Sequence, residues 1–119
     1  MCDRLKKVYN LIGLAYRAGK VSAGTMAAKT SLLRRRACLL IMSQDISINT
    51  KDTLVSTCEK QRIPWVLMGD KYVLGTSVGK AYRVAVTVNE SGMARAIVDA
   101  LQVVGEEEKS MGVVVEWPK

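Results

Sequence analysis

Histidine is absent from this chain, and its three cysteines, Cys2, Cys38 and Cys58, stand at no metal-ligand spacing. Without imidazole there is no ordinary Ser-His or Cys-His pair for nucleophilic catalysis. A zinc site lacks a ligand set, and an odd, scattered cysteine count argues against a disulfide framework. Neither metal nor cofactor is expected. No apolar run approaches the roughly 20 residues of a membrane-spanning helix. The opening Met1-Cys2-Asp3-Arg4-Leu5-Lys6-Lys7 lacks the apolar core of a secretion signal. The expected setting is therefore the cytoplasm, off the membrane. Acidic residues are scarce over most of the length. Residues 1–89 hold 15 Lys+Arg against 5 Asp+Glu, which gives +10, whereas residues 90–119 hold 3 against 6, which gives −3.

A body this basic favours polyanions, nucleic acid first and anionic membrane second. A merely soluble basic domain has the same balance, so charge alone does not decide. With 119 residues and 49% apolar content, the chain suffices for one domain with a real core and leaves no room for a second. The expected division is a domain over 1–105 and a C-terminal tail over 106–119, where Glu106-Glu107-Glu108-Lys109 reads as a solvated linker.

Helical and extended patterns alternate along the chain. Residues 4–18 place Leu5, Val8, Ile12 and Ala15 on one helical face, with Lys6, Lys7 and Arg17 opposite. Gly19 suits the left-handed residue that closes a helix, and residues 20–23 are long enough for a short strand only. Gly24-Thr25 opens a second helix, 24–35, with Ala28, Leu32 and Leu33 facing inward; Arg34-Arg35-Arg36 ends it, as dipole cap or as RNA contact. The continuous apolar run 37–42 reads as a strand buried on both faces. A helix over 50–62 follows, capped by Asn49 or Thr50 with Leu54, Val55 and Cys58 inward, and Ile63-Pro64 stops it. Residues 65–68 form the next buried strand, 71–78 a short helix bearing Leu74, and 84–88 a further strand. Ser91 can cap a helix over 92–104 that buries Ile97, Val98, Leu101 and Val104 and ends at Gly105. Residues 113–117 either pair as an edge strand or stay loose. This alternation implies a sheet sandwiched between helices.

Two stretches resemble a phosphate loop and fail its spacing. Gly13 to Gly19-Lys20 has five intervening residues and Gly75 to Gly79-Lys80 has three, where the loop needs four followed by Ser or Thr. Asp45 lies just past a strand end, where enzymes of this class often keep a carboxylate. Lacking an evident partner, it reads as a ligand for loop backbone or a neighbouring cation. The start of the second helix at Gly24-Thr25 is the natural site, because its free N–H groups and positive dipole end suit a phosphate or an RNA backbone.

The stretch Leu11-Ile12-Gly13-Leu14-Ala15-Tyr16-Arg17-Ala18-Gly19-Lys20, followed by Gly24, the run from Ala37 to Asp45-Ile46-Ser47 and Asn49-Thr50-Lys51, resembles a known family. So do Cys58, Ile63-Pro64, Leu74-Gly75 and Val78-Gly79-Lys80. The resemblance is to the YlxQ-like bacterial branch of the ribosomal protein L-seven-Ae superfamily, and it runs from about residue 4 to residue 101. It implies an α/β fold, a three-layer α/β/α sandwich with a mixed four-stranded sheet, and RNA as ligand. In members that bind kink-turn RNA, the RNA face joins the first turn of the helix that begins here at Gly24 to the loop beside Leu74-Gly75. Those members carry Gly-Thr-Asn-Glu, or a close variant, and a lysine three residues beyond the Glu. This chain reads Gly24-Thr25-Met26-Ala27 and has Thr30 in the lysine's place.

Met26 and Ala27 offer no side-chain donor toward sheared G·A pairs. What remains positions an RNA backbone but reads bases poorly. The candidate RNA-binding residues are Lys20, Gly24, Thr25, Met26, Lys29, Thr30, Lys71, Tyr72 and Val73. Lys20, Lys29 and Lys71 would hold phosphates, Gly24 and Thr25 would offer helix-start N–H groups, and Met26, Tyr72 and Val73 would contact bases or sugars. Met26 either packs on a base or partner or is simply an exposed methionine. The expected protein is a monomer that binds structured RNA, ribosomal RNA foremost, beside ribosomal or other ribonucleoprotein partners. The alternative is a protein-interaction module that kept the fold and lost kink-turn binding; an enzyme is a distant third.

Overall fold

In a computed structural model, which describes residues 3–102 and 114–116, the elements follow the order α1 (Asp3–Arg17), β1 (Val21–Ala23), α2 (Thr25–Leu33), β2 (Leu39–Met42), α3 (Ile48–Gln61), β3 (Trp65–Leu67), α4 (Lys71–Ser77), β4 (Ala85–Val88), α5 (Ser91–Gln102) and β5 (Val114–Glu116). The strands form one sheet in the order β1-β4-β2-β3-β5. β2 and β3 run parallel and every other pairing is antiparallel, so the sheet is mixed. Its first four strands are those the sequence implies. The fifth comes from the valine run left open above, and it pairs Val66 with Val115 along the outer edge of β3.

Strand periodicity explains the layers. Successive side chains point to opposite faces, so Leu39 and Ile41 of β2 enter one core while Leu40 and Met42 enter the other. The first core gathers Leu5, Val8, Ile12 and Ala15 of α1, Leu74 of α4 and Ile97 and Leu101 of α5. The second gathers Ala28 and Leu32 of α2 with Leu54 and Cys58 of α3. Helices α1, α4 and α5 therefore cover one face, and α2 and α3 the other, a three-layer sandwich. All four β2 side chains are fully buried. Each contributes on the order of 1.5–3 kcal/mol of transfer free energy, which is why an unbroken apolar run belongs at the centre.

Several helix ends differ from expectation. Leu33 is 65% exposed, and Ser31 takes the inward place beside Leu32. One residue is 100° of helical turn, so Leu33 rotates off the stripe set by Ala28 and Leu32. Helix α3 starts two residues early at Ile48, and its cap is Ser47, whose hydroxyl accepts the Thr50 N–H at 3.3 Å. The cap of α5 is Glu90 rather than Ser91: its carboxylate accepts the N–H groups of Gly92 at 2.9 Å and Met93 at 2.7 Å. Those two bonds, Met93 foremost, with Lys20 nearby, hold the Glu90 carboxyl below its ordinary range. Gly19 does close α1 in the left-handed region (φ 76°), with the Lys20 N–H donating to the Ala15 carbonyl. Val104 and Gly105, the expected end of α5, lie outside the described residues.

A polar cluster fixes α2 to the sheet. Asn89 Oδ1 accepts from Ser31 Oγ at 2.6 Å and Thr87 Oγ1 at 3.0 Å, while Asn89 Nδ2 donates to Ser22 Oγ at 2.9 Å. Buried Ser31 and Thr87 are thereby satisfied, and the helix is held in one register against β1 and β4.

Candidate nucleic-acid interface

Three helices have a side-chain acceptor at their start: Ser47 for α3, Asp70 for α4 and Glu90 for α5. Helix α2 has none. Its first residue is preceded by Gly24 at φ 111°, ψ 157°, a conformation open to glycine, and no acidic residue lies in its first turn. The Gly24 N–H is held by the Ala85 carbonyl at 2.8 Å, and its own carbonyl accepts the Ala28 N–H. That geometry aims the start of α2 outward with no side-chain cap, at the end of the sheet where β1 finishes and β4 begins.

Two loops converge on this end. Arg83, just before β4, lies beside Gly24: a Cβ there would stand 3.6 Å from the Arg83 Nε. The Arg83 N–H donates to the Lys71 carbonyl at 2.9 Å, and its Nη1 to the Tyr82 carbonyl at 2.6 Å. The Lys71 ammonium stands 5.4 Å from the Tyr72 ring centroid and 5.8 Å from that of Tyr82. Both tyrosines are more than half exposed. Close approach of Gly75 permits this arrangement, since a Cβ on it would fall 2.5 Å from Tyr82 Cα.

Asp45 ties the same corner together. Its carboxylate accepts the Lys71 N–H at 3.1 and 3.3 Å, the backbone role anticipated from its position after β2. The carboxyl is held below its ordinary range, first by the neighbouring Ser43 hydroxyl and then by Lys71. The buried Ser43 Oγ makes no hydrogen bond of good geometry, so its influence is that of a nearby dipole.

The candidate residues divide into groups. Gly24, Thr25 and Met26 stand at the start of α2, and Met26 is 75% exposed. Lys29 shares a shallow cleft of about 250 Å³ with Thr25, Met26 and the α3 residues Asn49, Thr50 and Thr53. Thr30 lies on the other flank, beside Ser22, Arg34 and Arg36. Lys71 and Tyr72 join the corner through Arg83. Val73 is half-buried and turns toward α1, with its N–H given to Asp70. Lys20 stands at the opposite end of β1, where its carbonyl accepts the Asn89 N–H and its charge faces Glu90. Four strand steps put it about 13 Å from Gly24.

Two residues that reading along the chain missed are Tyr82 and Arg83. Their position depends on the antiparallel pairing of β1 with β4, which sets Ala23 opposite Val86 and brings the end of one strand to the start of the other. A basic residue directly before a strand was the available signal.

Residues 6–98 match the family described as "Ribosomal protein L7Ae/L30e/S12e/Gadd45 family". The RNA-binding protein YlxQ of Bacillus subtilis is 33% identical over 93 residues, spanning 78% of this chain and 93% of its own length. The large ribosomal subunit protein eL8 of Thermoplasma acidophilum is 31% identical over 107 residues, spanning 84% and 87% respectively. Among solved structures, a Bacillus halodurans protein of unknown function superposes with a TM-score of 0.77 at 30% identity, covering 81% of this chain and 97% of its own. A 15.5 kD RNA-binding protein of Giardia lamblia has the same fold, with a TM-score of 0.73 at 17% identity over 93% of this chain and 92% of its own. YlxQ and eL8 are named as RNA-binding and ribosomal proteins, not as enzymes. The chain is a YlxQ-like member of the ribosomal protein L7Ae/L30e/S12e/Gadd45 family.

Proposed function

We propose that the chain binds structured RNA, in association with the ribosome, through the end of the sheet where α2 starts. The observation that carries this reading is the uncapped start of α2 with Arg83 beside Gly24, next to a lysine set between two exposed tyrosines. Helix-start N–H groups and a guanidinium bind phosphate oxygens in complementary ways, the first by dipole and the second by a planar fork. Tyr72 and Tyr82 offer faces for unstacked bases, the usual mode of contact with RNA loops. The relatives named as RNA-binding and large-subunit ribosomal proteins support the ligand class and the setting.

Recognition of this kind rests on backbone geometry more than on sequence. The side chains of Met26 and Ala27 present no hydrogen-bond donor, so kink-turn discrimination is weak in this reading. The test replaces Lys29, Lys71 and Arg83 together with Ala and titrates a ribosomal RNA fragment by fluorescence anisotropy. Affinity is expected to fall at least about tenfold, since each charge-assisted contact contributes on the order of 1.5–3 kcal/mol. The control replaces Lys60 and Arg62, at the far end of α3, where Gln61 bonds the Leu32 carbonyl near the other end of α2. Equal losses from both sets would mean that charge alone, without a localised site, accounts for binding.

A second reading, a protein-interaction module, draws on one observation: Met26 and Ile48 are each 75% exposed on the helix layer flanking the same corner. It is favoured if the wild-type chain shows no RNA affinity even at low salt.

A further inference from the structure

The face carrying α1 and α4 holds a groove of about 820 Å³ that the RNA reading leaves unused apart from Tyr72. We infer that this groove docks an acidic amphipathic helix of a protein partner, through an apolar floor of Tyr9, Leu14 and Val73 bounded by the cations Lys6 and Arg17.

The groove exists because two helices approach closely at one point and diverge around it. Gly13 of α1 meets α4 there, and a Cβ on it would stand 2.9 Å from the Ser77 carbonyl oxygen. Beside that contact Leu14 is 50% exposed and Tyr72 59% exposed, large apolar surfaces that the described residues leave open. No described residue lining the groove is acidic. Lys6 and Arg17 are eleven residues apart on α1, about 16 Å along its axis, or three helical turns.

That spacing selects the occupant. A nucleic-acid strand would use cations repeated along its track, whereas the described lining carries cations only at Lys6 and Arg17, with apolar Tyr9, Leu14 and Val73 and the uncharged Asn10, Thr76 and Ser77 among the rest. A three-turn helix with apolar residues at i, i+3, i+4 and i+7 and carboxylates at its ends matches both the floor and the charges. Charged ends fix orientation and register, while the buried apolar anchors supply affinity.

The experiment uses the full chain and a fluorescein-labelled three-turn peptide, leucines at those four positions and glutamates at both ends. The same peptide with lysines for glutamates and a single-stranded oligouridine serve as competitors. The wild-type protein is expected to bind the acidic peptide, and Leu14→Glu, at an already exposed position, to weaken it at least about tenfold. Lys6→Glu with Arg17→Glu should do the same and should transfer preference to the lysine peptide. Thr76→Trp, which fills the groove from an exposed position, should also block it. Affinity for the ribosomal RNA fragment should change less than about twofold in Leu14→Glu, so the two sites fail or succeed separately. The inference is overturned if the wild type does not bind the acidic peptide, if the lysine peptide binds it equally well, if the variants bind as wild type does, or if oligouridine displaces the peptide.

Discussion

By the resemblance drawn from the sequence, Met26 and Ala27 would stand where kink-turn binders carry amide and carboxylate side chains, and Thr30 where they carry a lysine. A polar base edge that is desolvated without a partner costs on the order of 1–3 kcal/mol. The wild-type chain is therefore expected to separate a kink-turn from its G·A-disrupted variant only weakly. Met26→Asn, Ala27→Glu and Thr30→Lys together should raise that discrimination by a comparable amount, measured by titrating both proteins against both RNAs. Strong discrimination by the wild type would instead assign recognition to backbone groups and the Lys71–Arg83 corner. A second residue-scale expectation concerns Gly75. Its missing Cβ would meet Tyr82 Cα at 2.5 Å and the Tyr82 N and C at 2.8 Å, all main-chain atoms that cannot swing aside. Gly75→Ala should destabilise the fold by about 1–3 kcal/mol in a urea titration. It should also weaken RNA binding, because Tyr82 and Arg83 move with that backbone.

Element by element, the cap of α5 makes a pH-dependent contribution with a definite sign. The Glu90 carboxyl lies below its ordinary range when folded, so its stabilisation is complete above the ordinary glutamate value of about 4.3 and is lost as pH falls through the folded value. Glu90→Ala should lower the melting temperature at pH 7, and the gap to wild type should close in acid. A gap that does not narrow as pH falls would show that the side chain acts by packing instead. The same helix shows what the sequence reveals and what it withholds. Five helices and the four principal strands were legible because apolar periodicity changes from element to element, and β2 because it is apolar without interruption. The caps were less legible, since the strings Ser47-Ile48-Asn49-Thr50 and Glu90-Ser91 each offer several capable side chains and only backbone geometry chooses among them. The start of α2 was visible as glycine followed by a helical pattern. The corner around it was not, because Lys20 is close in sequence but a strand away in space, whereas Arg83 is distant in sequence and adjacent through the β1–β4 pairing.

For the whole molecule, the +10 carried by residues 1–89 sets the response to salt. If Lys29, Lys71 and Arg83 each neutralise one phosphate, the logarithm of RNA affinity should fall against the logarithm of salt with a slope of about −2 to −3. Their joint replacement should flatten it toward zero. A flat wild-type response would favour the protein-interaction reading. The sheet's two borders differ in kind, and this bears on how the molecule behaves in a crowded solution. β1 has no further described strand beside it, while β3, equally three residues long, presents Trp65-Val66-Leu67 and is paired with Val114–Glu116 from the same polypeptide. A row of main-chain donors and acceptors that would welcome a neighbour's strand is thus taken by the protein's own final one. Ending the chain at Gln102 should reopen that border, and the shortened protein should self-associate with rising concentration in sedimentation velocity while the full chain does not.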